Sequence, residues 1–496
     1  MTPPTFPARH HCLGAISSSA SPNWSRSAQP ALCWWAISER AGFAGRTLRL
    51  LGYENVLELD GGLTSWLESG QPKATGINVP SKEFGERIRE EEPIQEIESA
   101  QLHKLLDQGE RILVLDARTP EEYGHFCIPG ALNGPGGDLV LWATDLRKDP
   151  RTRVVVNCAG RTRSIIGSQS LKRIGLNNVF VLKNGTMGWL LAGLELEQKP
   201  TRTVSAPSAM SRAEAEKQAA RIAAEESISL ISAPELQELL ARREASTLYP
   251  IDVRSANEYR AGHIPGFFCI PGGQAIQRAD DFVPVREGGI VFSCDGIARA
   301  VMAAFWYRKM GFKNARALSG GTRAWMENGL RLEKGETAKK ILGLEQARDS
   351  VSFVSGGLWS RMRRGEGPAI LDVSLSSEHQ SGHLPGARWI TRGWIELKIP
   401  EIFHDRNRAL LVTCPNEEQS TFAAAALQEV GYRVSVLKGG VKSWKSEGRP
   451  LETGLTAPLV QPRDDVRSAS VTGDKEAMRR YLEWEIALGT KYKKAD

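Results

Sequence analysis

The chain has 496 residues, of which 41% are hydrophobic and 25% are charged, and its formal net charge is +6. This length is too great for one hydrophobic core and predicts three or four domains. The composition is typical of a water-soluble protein, and no apolar run approaches the ~20 residues of a membrane helix. The 64 basic residues form no stripe interleaved with aromatic side chains. We therefore expect neither a membrane nor a nucleic acid as a partner.

The cysteines indicate a reducing compartment. There are seven, at positions 12, 33, 127, 158, 269, 294 and 414. An odd number at wide spacing argues against a disulfide framework, so we expect a cytoplasmic protein. The N-terminus also lacks the continuous apolar segment of a secretory signal. The cluster His10-His11-Cys12 has no further ligand at a usable spacing, and we predict no metal and no cofactor.

The first part of the chain contains an incomplete copy of a unit that recurs further on. Residues 1–32 are rich in Pro, Ser and Ala and are predicted to be poorly ordered. Residues 33–75 match only the second half of the unit, with Gly52 and Trp66 at the expected places. This remnant lacks the cysteine of the later copies, and we expect it to dock on a neighbouring copy. Residues 73–95 are rich in charged residues and are predicted to be a helical linker.

The second copy, residues 94–199, contains the stretch on which the functional prediction depends, Cys158-Ala159-Gly160-Arg161-Thr162-Arg163-Ser164. An apolar strand is predicted before it and a helix after it. A thiol at a helix N-terminus is favoured as the thiolate, because amide groups and the helix dipole stabilise an anion there. We expect Arg161 to face solvent as a steering charge. Arg163 is expected either to contact a bound anion or to form a structural ion pair.

The same layout returns in the third copy, residues 226–336, and in the fourth, residues 350–455. Each cysteine follows an aspartate by 42 positions, at 116 and 158, 252 and 294, and 372 and 414. Such identical spacing indicates a repeat. Residues 201–226 between the second and third copies are predicted to be a solvated helical connector. The tail, residues 456–496, is expected to carry an amphipathic helix over 475–491 that docks on a domain.

Each full copy alternates short apolar strands with helical patterns. A glycine lies 17 positions after each cysteine, at Gly175, Gly311 and Gly431, and a tryptophan lies 30 or 31 positions after it. Alternation of this kind predicts an α/β fold with a parallel sheet that is covered on both faces. The aspartates that end strands are expected to accept hydrogen bonds from nearby backbone or from the arginine two residues on.

Three motifs of the third copy carry a family resemblance: Asp252-Val253-Arg254, Glu258-Tyr259 and Gly262-His263-Ile264-Pro265-Gly266, followed by a strand that ends at Cys294. These motifs resemble the rhodanese family of sulfurtransferases. The resemblance implies tandem rhodanese-like domains, each a small central parallel sheet flanked by helices. It also implies a cysteine that carries a persulfide between a sulfur donor and an acceptor.

The candidate site residues come from the loops of the second and third copies. We expect Cys158 and Cys294 to be the catalytic thiols. Substrate contacts are expected from Ala159, Gly160, Arg161, Thr162, Arg163 and Ser164, and from Arg299 in the third copy. In the fourth copy Gln419 replaces the arginine and two glutamates flank the loop, so we expect Cys414 to be inactive.

Loop charge gives an expected order of thiol acidity. The five residues after each cysteine carry a net charge of +2 at Cys158, 0 at Cys294 and −2 at Cys414. Because positive charge stabilises a thiolate, the acidity should fall in that order. We accordingly expect only Cys158 to be largely ionised near pH 7.

The leading functional hypothesis is a sulfurtransferase that moves sulfane sulfur from a donor such as thiosulfate to a thiol or cyanide acceptor, with a protein acceptor as a further option. The alternative from another class is a non-catalytic scaffold or a sensor of oxidants and reactive sulfur. A phosphatase also uses a cysteine followed by an arginine. Only four residues separate Cys158 from Arg163, one fewer than in the phosphatase signature, and this tighter loop favours sulfur.

Overall fold

The computed structural model describes residues 32–34, 38–243, 246–337, 341–355, 357–456, 458–465 and 469–490. The N-terminal segment 1–31 lies outside the described residues. The described chain forms two compact units. One contains the described residues of 26–74 and 339–467, and the other those of 75–338 and 468–490. Among the described helices, none combines the length and the apolarity that a membrane crossing requires.

The remnant at the start of the first unit has two strands and two helices. They are β1 (Leu32–Trp34), α1 (Ser38–Leu50), β2 (Val56–Glu58) and α2 (Gly62–Glu68). The two strands pair in parallel. Trp66 donates a hydrogen bond to the carbonyl six positions on, that of Pro72, and the equivalent tryptophans of the full copies do the same. The remnant belongs to the same unit as the fourth copy. The copy that covers it is therefore the most distant one in sequence.

The segment before the second copy is more than a linker. It forms helix α3 (Val79–Glu91), and Ser81, Lys82, Phe84 and Glu86 are among its buried residues. A Cβ on Gly85 would lie 3.0 Å from the Thr162 side chain, so this helix packs directly against the loop that follows Cys158. The predicted helical character of residues 73–95 is thus confirmed for Val79–Glu91, and several residues of this helix are buried at the contact.

The second copy forms a five-stranded parallel sheet with helices on both faces. Its elements are β3 (Gln95–Ile97), α4 (Ser99–Asp107), β4 (Ile112–Asp116), α5 (Pro120–His125), β5 (Phe126–Cys127), β6 (Leu132–Asn133), a 3-10 turn (Leu139–Trp142), α6 (Ala143–Leu146), β7 (Arg153–Asn157), α7 (Thr162–Arg173), β8 (Val179–Leu182), α8 (Gly185–Leu191) and β9 (Glu197–Gln198). The strand order is β3-β8-β7-β4-β6. The strand that leads to Cys158 is therefore the central one.

The connector between the second and third copies is helix α9 (Ala209–Glu225). One face of it is buried, with Ala215, Ala219, Ile222 and Ala223 in the core that the two copies share. The prediction of a solvated connector was therefore wrong for this face. Small alanine side chains, which carry little hydropathy signal in a charged sequence, allow the helix to approach closely.

The third copy repeats the architecture. Its elements are β10 (Leu230–Ile231), α10 (Ala233–Ala241), β11 (Leu248–Asp252), α11 (Ala256–Ala261), β12 (Phe268–Cys269), α12 (Gly272–Gln277), α13 (Ala279–Phe282), β13 (Gly289–Ser293), α14 (Ala298–Lys309), β14 (Ala315–Leu318) and α15 (Gly321–Glu327). The strand order is β10-β14-β13-β11-β12, and all pairs are parallel.

The second and third copies meet at equivalent positions. A Cβ on Gly137 would lie 2.6 Å from the Gly272 Cα, so only glycine fits here. Both glycine pairs, 136–137 and 272–273, follow the strand-ending aspartate of their copy by 20 and 21 positions. Equivalent segments of the two copies therefore face each other at this contact.

The fourth copy and the tail complete the chain. Their elements are α16 (Leu344–Ser350), β15 (Ser352–Val354), α17 (Leu358–Arg363), β16 (Ala369–Asp372), α18 (Ser376–Ser381), β17 (Arg388–Trp389), a 3-10 turn (Arg392–Trp394), α19 (Ile395–Ile402), β18 (Leu410–Thr413), α20 (Glu418–Glu429), β19 (Val434–Leu437), α21 (Gly440–Ser446), α22 (Ala469–Thr472) and α23 (Lys475–Thr490). The sheet order is β15-β19-β18-β16-β17. Helix α23 confirms the predicted amphipathic helix, and it docks on the second copy.

The aspartates at the strand ends have the predicted structural role. The buried Asp116 accepts a hydrogen bond from Arg118 Nη2 at 2.6 Å, and Asp252 accepts the equivalent bond from Arg254 at 2.7 Å. In the fourth copy, where Ser374 replaces the arginine, His379 Nδ1 lies 2.8 Å from Asp372 Oδ2. The histidine thus fills the place that the arginine leaves.

Candidate active site

Cys158 lies between the central strand β7 and the first turn of helix α7. The thiol is buried, with 2% of the residue exposed. It lies 3.4 Å from the Ser164 hydroxyl, to which it donates a hydrogen bond. The Cys158 carbonyl accepts a bond from Thr186 N at 2.9 Å. A Cβ on Gly185 would lie only 2.2 Å from this carbonyl, so the turn before helix α8 needs a glycine at this place.

The two arginines of this loop are both engaged by carboxylates. Arg161 is 3% exposed and donates to Glu86 Oε2 at 2.9 Å and to Asn184 Oδ1 at 2.8 Å. Arg163 donates to Glu122 Oε1 at 2.8 Å. The expectation that Arg161 faces solvent was wrong, because helix α3 brings Glu86 over the loop. Of the two readings of Arg163, the structure shows the ion pair.

These pairings change the electrostatics that loop charge alone predicts. Burial would raise the pKa of Glu122, but Arg163 outweighs it and lowers that pKa to about 2, so Glu122 stays ionised. For Cys158, burial raises the pKa of the thiol, and Arg163 and Ser164 oppose the rise only in part. The direction of this shift is opposite to the one that loop charge predicts for Cys158.

Helix α23 covers the loop that follows Cys158. The Glu485 carboxylate is 1% exposed, and its Oε1 accepts a hydrogen bond from the Thr162 hydroxyl at 2.8 Å. Met478 and Leu482 of the same helix form an apolar cluster with Met187. Lys82 of helix α3 is also buried here, and burial lowers its pKa to about 8 although Glu485 favours its charge.

The Cys294 loop is covered by a different carboxylate. Glu216 of the connector helix α9 accepts hydrogen bonds from two backbone amides of this loop, Ile297 N at 2.8 Å and Ala298 N at 3.1 Å. Arg299 is paired with Glu258 at 2.7 Å and with Asp138 at 2.8 Å. Burial raises the pKa of Cys294 to about 12.

Asp295 also pairs with Arg299, at 2.7 Å. Burial raises the pKa of the Cys294 thiol, and Arg299, which opposes this rise, is thus shared among three carboxylates. A cavity of about 20 Å³ between the two copies is lined by Arg163 and Arg299 together. It has room for little more than a water molecule.

The fourth loop has Gln419 where the other two loops have an arginine, but it holds its thiol with a serine as the Cys158 loop does. Cys414 is buried, and its thiol donates to Ser420 Oγ and accepts from Ser420 N, both at 3.3 Å. Burial raises the pKa of this thiol, and the Ser420 hydrogen bonds oppose the rise. Glu417 adopts a left-handed conformation with φ 70° and accepts a hydrogen bond from Arg348. The predicted order of acidity among the three thiols stays a prediction.

Sequence reasoning missed the carboxylates that cover the loops, Glu86, Glu216 and Glu485. They lie on helices α3, α9 and α23, which connect or follow the repeated units and carry none of the repeat's motifs. One signal was available for Glu485, since it falls on the apolar face of an amphipathic pattern. A charged residue on such a face is buried only with a partner.

Comparison with known proteins identifies the repeated unit. The family described as "Rhodanese-like domain" matches residues 98–192, 232–328 and 356–447, which together make up more than half of the chain. The chain belongs to the rhodanese family. The crystal structure of a thiosulfate sulfurtransferase from Pseudomonas aeruginosa matches with a TM-score of 0.86 at 33% identity, over 94% of this chain and 87% of that chain. The predicted family and the α/β fold of tandem domains are thereby confirmed.

Single rhodanese domains of other proteins also match. A human thiosulfate:glutathione sulfurtransferase is 33% identical over 110 residues, which is 20% of this chain and 92% of the human protein. An HTH-type transcriptional regulator of Mycobacterium tuberculosis is 37% identical over 100 residues, or 20% of this chain, and the match spans only 43% of the regulator's length. Together with the Pseudomonas structure, the human relative supports a sulfurtransferase of the rhodanese type.

Proposed function

We propose that this rhodanese moves sulfane sulfur from thiosulfate or a related donor anion to a thiol or cyanide acceptor, through a persulfide on Cys158. One contrast between the loops carries the assignment to this cysteine. At Cys294 the covering Glu216 bonds two backbone amides of the loop, whereas at Cys158 the covering Glu485 bonds a side-chain hydroxyl. Loop amides at a helix start are the groups that stabilise a sulfur anion.

Two displacements complete the cycle. The Cys158 thiolate attacks the outer sulfur of thiosulfate, a sulfur–sulfur bond forms, and sulfite leaves with the electron pair of the broken bond. The acceptor thiolate or cyanide then attacks the outer sulfur of the persulfide. This step releases the Cys158 thiolate and gives a persulfide or thiocyanate. Sulfur transfer in this form needs no external oxidant or reductant.

The loop residues divide the work. Ala159 and Gly160 let the backbone come close to the transferred sulfur, and Thr162 offers a hydroxyl to the donor's oxygens. Arg163 opposes the rise that burial causes in the pKa of the thiol, while the thiol donates a hydrogen bond to Ser164 Oγ at 3.4 Å. Arg161 positions the loop through Glu86. Cys294, with Arg299, is a second candidate nucleophile that requires Glu216 to leave its loop.

Further properties follow as proposals. Five cysteines are free thiols, at positions 127, 158, 269, 294 and 414, which fits a cytoplasmic location. The acceptor could be small or carried on a protein. We propose that the fourth copy serves as a scaffold, because Gln419 stands at the position of Arg163 and Arg299 in the other loops and brings no positive charge to its thiol. A phosphatase is disfavoured, since Arg163 is held by Glu122 in a short loop.

The test is the location of the transferred sulfur. We expect the intact protein to gain the mass of one sulfur atom after incubation with thiosulfate, and peptide mapping to place it on Cys158. The Cys158→Ala protein should gain none, and the Cys414→Ala protein should gain as much as the parent. Sulfur found on Cys294 in the parent protein, or equal loading of Cys158→Ala, would overturn the assignment.

A further inference from the structure

We propose that helix α23 is a lid on the Cys158 site and that Glu485 holds the place of the anionic sulfur donor, which must displace it to reach the thiol. The inference rests on the function proposed above and adds to it the regulation of the same site. The lid and the donor would then compete for one position, so that the resting enzyme is closed and the donor itself opens it.

The first observation is that the site is shut. Cys158 is 2% exposed, so a donor anion cannot approach its sulfur in this arrangement. The closure is not made by the rhodanese domain alone, because Met478 and Leu482 of helix α23 pack on Met187 beside the loop. An enzyme that must admit thiosulfate therefore has to move this helix or its side chains.

The second observation is the Glu485 carboxylate itself. Its Oε1 accepts from Thr162 at 2.8 Å, and the side chains of Tyr481 and Lys82 interact with the carboxylate, but its Oε2 is buried without a hydrogen bond of regular geometry among the described residues. A Cβ on Gly160 would lie 3.1 Å from this Oε2, which places the oxygen against the loop backbone. Leaving a buried carboxylate oxygen unpaired costs free energy. The lid is thus held in place by a carboxylate, one of whose two oxygens binds poorly to the loop.

Carboxylate and thiosulfate present the same chemistry to this loop. Both are anions whose oxygens accept hydrogen bonds from hydroxyl and amide donors at a helix start. Glu485 reaches the Thr162 hydroxyl, which belongs to the first turn of helix α7. A donor anion bound beside Cys158 would meet the same hydroxyl. The position can hold one anion at a time, since two would repel each other.

The third observation is that two aromatic side chains of helix α23 hold it against the segment before the second copy. The Lys82 ammonium lies 4.8 Å from the Tyr481 ring centre and 4.7 Å from that of Trp484. Trp484 Nε1 donates to the Thr75 carbonyl at 2.9 Å. Helix α23 lies outside the repeated unit, so its detachment would leave every strand pair of the sheet in place.

Closure also keeps the thiol inactive. Burial raises the pKa of Cys158, and the charge of Glu485 adds to that rise. When the helix leaves, water reaches the sulfur and Arg163 remains beside it. Opening the lid therefore couples the access of the donor to the formation of the nucleophilic thiolate.

The test compares two alkylating reagents on the full chain. Glu485→Gln removes the charge and nearly keeps the shape, and Glu483→Gln is the matched control, because Glu483 is exposed on the same helix. We expect Glu485→Gln to speed alkylation of Cys158 by iodoacetate, an anion, about tenfold, and by neutral iodoacetamide only about threefold. Glu483→Gln should react like the parent. Equal acceleration of both reagents, or none, would overturn the proposal.

A second variant guards against misfolding. Trp484→Ala removes the contacts to Lys82 and Thr75 but leaves Glu485 in place, and it should also speed alkylation of Cys158. Unchanged alkylation in a Trp484→Ala protein with the parent's circular dichroism spectrum would contradict the lid. Steady-state kinetics add an independent readout, since Glu485→Gln should lower the KM for thiosulfate about fivefold and change kcat by less than about twofold.

The two proposals fail in different ways. Alkylation that depends on Glu485 in a protein that never takes sulfur from thiosulfate would refute the proposed function and leave the lid standing. Sulfur transfer that depends on Cys158, in a protein whose alkylation ignores Glu485 and Trp484, would refute the lid and leave the function standing.

Discussion

The Cys158 loop and the Cys294 loop each follow a strand, and each has a buried thiol with an arginine five positions later. The carboxylates that cover the two loops nevertheless bind different groups. Glu216 takes two amides of the Cys294 loop, and Glu485 takes one hydroxyl of the Cys158 loop. The arginines of the two loops also differ, in the number of carboxylates that pair with them. Arg163 is paired with one carboxylate, Glu122, whereas Arg299 is paired with three.

The comparison shows that helices outside the repeated unit cover both loops, and we propose that these helices decide the reactivity of the two thiols. The rhodanese domains build similar loops, since the same strand order brings each cysteine to the centre of its sheet. Helix α9 then places a carboxylate against the backbone amides of one loop, and helix α23 places a carboxylate against a side-chain hydroxyl of the other. A duplicated domain can in this way be silenced without loss of its fold.

Replacing the thiols should have the largest effect. Cys158→Ser is expected to lower thiosulfate-dependent transfer on the order of a thousandfold or more, because the nucleophile is lost. Cys294→Ser should retain activity within about twofold, since Glu216 already occupies its loop. The measurement is thiocyanate production from thiosulfate and cyanide. Full activity of Cys158→Ser would move the reaction to another copy.

Removing the charge of Glu216 should expose the third loop. Glu216→Gln keeps one acceptor oxygen but cannot bond both amides as a carboxylate does, so alkylation of Cys294 by iodoacetamide should rise about tenfold. Glu214→Gln on the same helix is the control, because Glu214 bonds Gln218 of its own helix. If Cys294 reacts no faster in Glu216→Gln than in the control, the two loops do not differ in the way proposed here.

The sequence was sufficient to predict what repeats. The spacing from Asp116 to Cys158 recurs because the two residues end adjacent parallel strands, β4 and β7, whose registry pairs Asp116 with Asn157. The turn at Gly185 and the buried Trp189 likewise return in each copy for reasons of local geometry. The fold, the three loops and the amphipathic helix over Lys475–Thr490 could therefore be predicted.

The sequence was not sufficient for contacts between distant segments. Arg161 and Glu86 are 75 positions apart, and Thr162 and Glu485 are 323 apart. No periodicity links such pairs, since they depend on how helices α3 and α23 pack. Loop charge was therefore a poor guide to the state of Cys158, because the neutralising carboxylates come from elsewhere in the chain.

Replacing the arginine of each loop should change the pH dependence of alkylation at Cys158 more than at Cys294. This effect is expected to be smaller than those of the preceding variants. Arg163→Gln is expected to raise the pH midpoint of Cys158 alkylation by about one pH unit, since a positive charge beside a thiolate favours it. The change at Cys294 in Arg299→Gln should be smaller, because three carboxylates already offset that arginine. The rates are measured against pH by mass spectrometry of the two peptides. Equal shifts would show that the carboxylates around Arg299 do not matter.

The smallest expected effect concerns stability in acid. The pKa of Glu122 is lowered from 4.5 to about 2 by Arg163, which outweighs the opposing effect of burial. A carboxyl group whose pKa is lower in the folded state stabilises that state above its unfolded pKa. The stabilisation should therefore be complete above about pH 4.5 and should be lost as the pH falls from there towards 2.

Glu122→Gln keeps an acceptor for the cap at Thr119 and removes only the charge. Since 39% of the Glu122 side chain is exposed, we expect a loss of no more than about 1 kcal/mol at pH 7 and almost none near pH 2. Glu258→Gln should cost less, because Arg299 retains Asp138 and Asp295. Urea unfolding midpoints of both variants and the parent at pH 7, 4 and 2 give the comparison. A deficit in Glu122→Gln that stays constant with pH would mean that the Arg163 pair does not stabilise the fold through charge.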